Sequence, residues 1–166
     1  MKKETALGIV ASVGLFLAMI IGDSKKGKVV LTERDIHQLS TLRSDVREMF
    51  EELLIKAKML SPKAYIGEAR RTTKYQNALY SLGRTKPGNK VTNARGCMSW
   101  HVHGRAVDIY GGLNADHYRA LASWWKDKGG IWGHDVFPGD YGHFEYHPGL
   151  RIEDVCPDPD GKPLDL

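Results

Sequence analysis

Two segments carry side chains whose types and spacing suit metal-assisted hydrolysis. Ser99 to Asp108 reads SWHVHGRAVD, and Asp140 to Glu145 reads DYGHFE. A catalytic zinc takes three protein ligands, commonly histidine and carboxylate, and keeps a position open for water. His101, Asp108 and His143 can supply such a set. Asp140, three residues ahead of His143, can serve as the base for water whose pKa zinc lowers to about 7. Six of the seven histidines (His101, His103, His117, His134, His143 and His147) fall in this part of the chain. Composition alone leaves the ligand set open. A lone histidine is ordinarily a surface or core residue, the His101 and His103 pair is ambiguous, and His-Phe-Glu also reads as a strand without a ligand.

Such side chains need rigid elements behind them. Ala106 to Tyr110 reads as a strand that would hold Asp108 on one face, and Gly104 permits a tight turn between it and His101. His143 to Tyr146 reads as the last strand, with His143 and Glu145 on a shared face. Upstream, Thr32 with Asp35 makes an N-cap pattern. Apolar residues at Ile36, Leu39, Leu42, Val46, Met49, Phe50, Leu53 and Leu54 keep a helical period. The pattern predicts one long amphipathic helix from Glu33 to about Leu60, broken by Pro62. Ala64 to Ile66 reads as a short strand, and Thr73 to Leu82 as a helix ended by Gly83. Lys86 to Cys97 is turn-rich, and Ala115 to Lys128 reads as a helix stopped by Gly129 and Gly130. The tail after Pro148 reads as a surface loop. This order predicts an α+β fold, a small sheet with helices beside it.

With 166 residues the chain has room for one domain, and 42% hydrophobic with 27% charged residues excludes wholesale disorder and a polytopic membrane protein. A net charge of +4 favours an acidic polymer such as nucleic acid or bacterial wall without choosing between them. Two cysteines, Cys97 and Cys156, exclude a disulfide framework and a cysteine-rich zinc site. No helix-turn-helix, zinc-finger or aromatic RNA-binding motif is present, so nucleic acid is not an expected partner. Residues 1–22 stand apart: Lys2 and Lys3 precede an uncharged run from Ala6 to Gly22. That run is at the short limit for spanning a bilayer and is compatible with an uncleaved export anchor, a cleaved signal peptide or a buried core helix. Residues 23–31 read as a linker and 32–166 as the functional domain.

The pattern S-x-H-x-x-G-x-A-x-D followed by D-x-x-H-F-E resembles the zinc D-alanyl-D-alanine carboxypeptidase family, in particular its phage-endolysin branch of L-alanyl-D-glutamate endopeptidases. Ser99, His101, Gly104, Ala106 and Asp108 match the first motif; Asp140, His143, Phe144 and Glu145 match the second. Glu68 to Arg71 with Gln76 resembles the family's E-x-x-R segment. Asn77 to Gly88 and Val91 to Ala94 resemble the endolysin branch. The resemblance runs from about Thr32 to Glu145. It implies a hedgehog/D-Ala-D-Ala peptidase-like fold, a small antiparallel sheet carrying the zinc site, here preceded by a hydrophobic N-terminal helix. It implies zinc (Zn2+) on His101, Asp108 and His143, Asp140 as the base, and Arg71 polarising the scissile carbonyl, with Arg70 competing for that role. Ser99, Gln76 and Glu145 would bind substrate or support the ligands, and Glu145 also reads as a plain strand residue.

The implied activity is hydrolysis of a peptidoglycan stem peptide between L-Ala and D-Glu by a monomeric, exported enzyme, membrane-tethered or facing the periplasm or wall. The alternatives are a D-Ala-D-Ala carboxypeptidase and an inactive wall-binding module. A short anchor could also deliver the enzyme across the membrane and then release it. His103 is an alternative ligand. His117, His134 and His147 read as surface or rim residues. Cys97 reads as a free thiol, as an inhibitory zinc ligand, or, in an exported domain, as the partner of Cys156. The four tryptophans, Trp100, Trp124, Trp125 and Trp132, read as core or cleft wall.

Overall fold

The computed structural model describes Ile20–Ile21 and residues 29–158. The helix, anchor and signal readings of residues 1–22 lie outside the described residues, apart from β1 (Ile20–Ile21), which pairs antiparallel with β2 (Val29–Val30). Among the described residues, no helix is long and apolar enough to cross a membrane.

Thr32 is the N-cap expected from the sequence. Its hydroxyl accepts the Asp35 amide and Asp35 bonds back to the Thr32 amide, a reciprocal cap on α1 (Glu33–Thr41). Asp35 is fully buried and does more than cap. It accepts the Ile66 amide at 3.2 Å and pairs with Lys58 Nζ at 2.9 Å, tying α1 to β3 (Tyr65–Glu68) and to α2 (Arg47–Leu60).

The single helix expected from Glu33 to Leu60 is two. Leu42 is extended (φ −71°, ψ 159°), and the chain restarts helically at Arg47. The break is built from partners that periodicity does not register. The Arg43 amide donates to the Gly104 carbonyl at 3.2 Å, while the Arg47 guanidinium covers the carbonyls of Ser40 and Leu42. Apolar spacing continues across the break, so Leu39, Leu42, Val46 and Phe50 all reach one core.

The remaining elements are α3 (Thr73–Ser81), a 3-10 turn (Gly96–Met98), β4 (Ala106–Tyr110), α4 (Ala115–Asp127), β5 (Ile131–Trp132), α5 (Gly133–Val136), β6 (His143–Glu145) and α6 (Ile152–Val155). Four strands form an antiparallel sheet in the order β3-β4-β6-β5. The fold is α+β with a small antiparallel sheet, as expected. One face of the sheet is apolar: Ile66, Val107, Ile109 and Phe144 pack with Phe50, Leu53, Leu54, Leu121 and Trp125 from α2 and α4. Side chains alternate along a strand, so the residues between these point to the other face. There Glu68, Asp108 and His143 stand side by side on three adjacent strands, with Ala106 opposite Glu145 in the next row.

The tail departs from the expected surface loop. Cys156 is bonded to Cys97, α6 follows Arg151, and Val155 is buried against Trp100 and Ala106. The disulfide removes Cys97 both as a free thiol and as a thiolate ligand. The tail can fold back because its few apolar residues meet a small separate core under the loop that bears His101.

Candidate metal centre and cleft

His101, Asp108 and His143 each offer one ligand atom, and these atoms lie within 4.8 Å of one another. His101 Nε2 is 3.3 Å from Asp108 Oδ1 and 3.2 Å from His143 Nδ1, and His143 Nδ1 is 2.9 Å from the same Asp108 oxygen. The turn that delivers His101 needs Gly104, whose φ is +65° and whose position leaves a side chain only 3.2 Å from the Arg43 amide nitrogen.

The outward atoms of all three residues are engaged. His101 Nδ1 is 2.6 Å from the Ala69 carbonyl, which can only accept, so Nδ1 carries the proton and Nε2 presents a lone pair. His143 Nε2 donates to Glu145 Oε1 at 2.8 Å. Asp108 Oδ2 accepts from Arg71 at 2.8 Å. Each group thus has its outward atom occupied and its inward atom turned to the shared centre, the arrangement that outer partners impose on metal-binding histidine and carboxylate. Two imidazole nitrogens facing each other across a carboxylate call for a cation between them. A proton on His143 Nδ1 can serve. Burial alone would lower the His143 pKa, but its bonds to Asp108 and Glu145 outweigh that and raise it to about 10. The donor set of two nitrogens and one oxygen equally fits zinc.

Asp108 is desolvated, yet His101 and His143 hold its carboxyl far below the usual carboxylate range. Glu145 is likewise held down to about 2, against the effect of its own burial, by His143 and His147. Asp140 sits at the exposed end of a turn fixed by three contacts. The Gly139 amide donates to His134 Nδ1 at 2.8 Å, His134 stacks on Tyr141 at 4.2 Å, and the Asp140 amide donates to the Phe137 carbonyl at 3.0 Å. Its carboxyl is pushed up by partial burial and by Asp108 and Glu145, against the pull of His143 and His101.

Arg71 enters from the loop after β3. One terminal nitrogen bridges Asp108 and Glu68 at 2.8 Å each, and the other donates to Gln76 Oε1 at 3.2 Å. Its Nε is buried without a hydrogen-bond partner among the described residues. Arg70 is exposed. Gln76, fully buried in α3, donates to the Ala94 carbonyl at 2.8 Å and to the Thr92 hydroxyl at 3.2 Å, so it holds Arg71 and the 92–94 loop together. Ser99 lines the cleft next to His101. That cleft, about 950 Å³, brings Arg71, Ser99, His101, Asp108, Asp140, His143 and Glu145 to one surface. Tyr75, Val91, Val136 and Phe137 also line it.

Three features were not legible as site features in the sequence. His103 does not face the centre; it is buried and donates to the Cys97 carbonyl at 2.7 Å. His147 is no surface residue. Its ring stacks on Trp100 at 3.8 Å and its Nε2 donates to Glu145 Oε2 at 3.1 Å. Glu68 gained its place from strand register, which brings it beside Asp108; the E-x-x-R spacing was the available signal. Asn114 caps α4 by accepting the amide of half-buried His117, whose Nδ1 accepts the Asn114 amide in return. Trp125 is core, and Trp100 lines the cleft.

No family profile matches the chain. A 76-residue stretch, 46% of the chain, is 39% identical to the peptidoglycan L-alanyl-D-glutamate endopeptidase CwlK of Bacillus subtilis. The match spans 46% of that relative, so the chain spans about half the length of the curated protein it matches. This relative bears out the resemblance read from the motifs. Among solved structures, the chain is similar to the L-Ala D-Glu endopeptidase ChiX of Serratia marcescens, with 19% identity, 70% of this chain and 89% of that one covered, and a TM-score of 0.47. It is also similar to the vancomycin-resistance D,D-pentapeptidase VanY, solved with Zn(II), at 16% identity, 84% and 89% coverage, and a TM-score of 0.46.

Proposed function

We propose that the chain is a zinc peptidase that hydrolyses peptidoglycan stem peptides, cutting between L-Ala and D-Glu. The convergence of His101 Nε2, Asp108 Oδ1 and His143 Nδ1, each with its other polar atom already engaged, carries this reading. The sequence relative supports the choice of substrate. Zinc, when bound, supplies a Lewis acid that makes water nucleophilic at neutral pH. The protein supplies the rest. Asp140 takes the proton of the attacking water on its carboxylate and passes it to the leaving amine. Its partly desolvated carboxyl, with a raised pKa, suits it to hold that proton between the two steps. Arg71 orients Asp108 through one terminal nitrogen and sets its guanidinium charge beside that carboxylate on the cleft wall, where it polarises the scissile carbonyl.

Export belongs to the same proposal. Disulfides persist in oxidising compartments, and the Cys97–Cys156 bond supports action outside the cytoplasm, on the wall. The test is digestion of purified peptidoglycan by the full chain with zinc, with Asp140→Ala as control and mass spectrometry of the released ends. New L-Ala C-termini and D-Glu N-termini, absent in the control, are expected. Release of free D-Ala instead would identify a carboxypeptidase. No cleavage by a zinc-loaded chain would refute the peptidase reading.

A further inference from the structure

We propose that His147, which lies outside both motifs, is a positioning residue for the metal centre and acts through Glu145 on His143. The inference rests on the zinc reading above. Glu145 is shared between two imidazoles: Oε1 accepts from His143 Nε2 at 2.8 Å, and Oε2 accepts from His147 Nε2 at 3.1 Å. A carboxylate bound through both oxygens cannot rotate without losing one bond. The ring plane of His143, and the nitrogen it turns toward Asp108, therefore depend on where His147 stands. His147 is fixed in turn. Its ring lies on Trp100 with the planes 12° apart, and Trp100 is held edge-on by the buried His103 at 5.5 Å. Val155 and Ala106 pack in the same cluster, with Leu150 and Ile152 against it. The side chain of His147 keeps 12% exposure, so the stack is largely closed to water.

The pieces form one line of contact, Trp100 to His147 to Glu145 to His143. It couples the tail after β6 to the ligand at the start of β6. Outer partners of ligating histidines are worth about 10–100-fold in metal affinity. His147 stands one bond further out, so an effect of about tenfold, the low end of that range, is expected.

The test uses the full, oxidised chain and cobalt(II) in place of zinc. Affinity is read by competition with a chelator, and ligand geometry by the visible absorption of the bound ion. His147→Phe keeps a ring on Trp100 and loses the donor to Glu145; His147→Gln keeps an N–H donor and loses the ring. His147→Phe should bind cobalt about tenfold more weakly and shift the absorption bands, and His147→Gln should recover most of both. Unchanged affinity and spectrum in His147→Phe would overturn the inference while leaving the zinc reading intact. Equal losses in both variants, matched by equal falls in the unfolding temperature of the metal-free chain, would reduce His147 to a packing residue and also overturn it. A wild-type chain that binds no cobalt, or binds it as well after His101→Ala, would refute the zinc reading and this inference with it.

Discussion

Replacing both Cys97 and Cys156 by alanine isolates the contribution of the crosslink, because neither variant position leaves a free thiol. The two cysteines are 59 residues apart in sequence. In the chain-entropy treatment, closing a loop of that length lowers the entropy of the unfolded chain by about 14 cal/mol/K, or about 4 kcal/mol at 25 °C. Both positions are buried, at 0% and 3% exposure, and alanine fits them without a buried polar group. The loss should therefore come close to the entropic figure. Against a typical domain stability of about 5–15 kcal/mol, it is a large share. Urea unfolding followed by tryptophan fluorescence is the assay. With a slope of about 2 kcal/mol/M, the midpoint should fall by about 2 M, and reduced wild type should behave like the double variant. A difference below about 1 kcal/mol between oxidised and crosslink-free chains would refute the reasoning. It would mean that the packing of Val155 and Trp100 already restrains the tail without the covalent bond.

The raised pKa of His143, about 10 when folded against about 6.5 unfolded, sets a pH dependence for the metal-free chain. Its contribution is complete below the unfolded value and is lost as pH climbs through the folded one. Unfolding free energy with a chelator present should thus decline between about pH 6.5 and 10, by up to about 5 kcal/mol, while zinc, which replaces the proton, should suppress the decline. Asp35→Ala leaves Lys58, whose side chain is 4% exposed, without its carboxylate. A loss of about 3–5 kcal/mol in denaturant unfolding is expected, and Lys58→Met should cost less because Asp35 keeps the Thr32 and Ile66 donors. Gly133→Ala would set a methyl group 2.6 Å from His143 Cβ. His143 Cβ is fixed to the β6 backbone, so the strand itself must shift, and both a lower unfolding free energy, by about 1–3 kcal/mol, and weaker zinc binding by competition titration are expected.

The elements that carry local signals were legible in the sequence. The Thr32 cap, the strand Ala106–Tyr110, and the starts of α3 and α4 follow from turn residues and alternation. Features set by partners far away in sequence were not. The break between α1 and α2 hides because the apolar spacing runs through it, while its cause, the Gly104 carbonyl, is some sixty residues on. β5 has two residues and exists only as the edge partner of β6, too short for any period to show. The motif residues of the candidate site were recognisable by type and spacing. The engagement of Glu145 on both sides was not, because it needs His147 turned inward by Trp100, and a histidine two positions past a strand carries no sign of that.

The interruption between the first two helices also acts as a length gauge. Arg43 donates across it to the loop that bears His101, and the helices on either side bury separate faces in a common core. A helix turns about 100° per residue. Deleting one residue from 42–46 would force a choice between keeping α2 in register with the sheet and keeping the Arg43 bond to Gly104. A length-preserving substitution at the exposed Ser44 leaves both intact, whereas Leu42 and Val46 are themselves core residues. Insertions and deletions in this connector should therefore be far less tolerated than changes of its exposed Ser44, although it touches neither the cleft nor the ligand atoms.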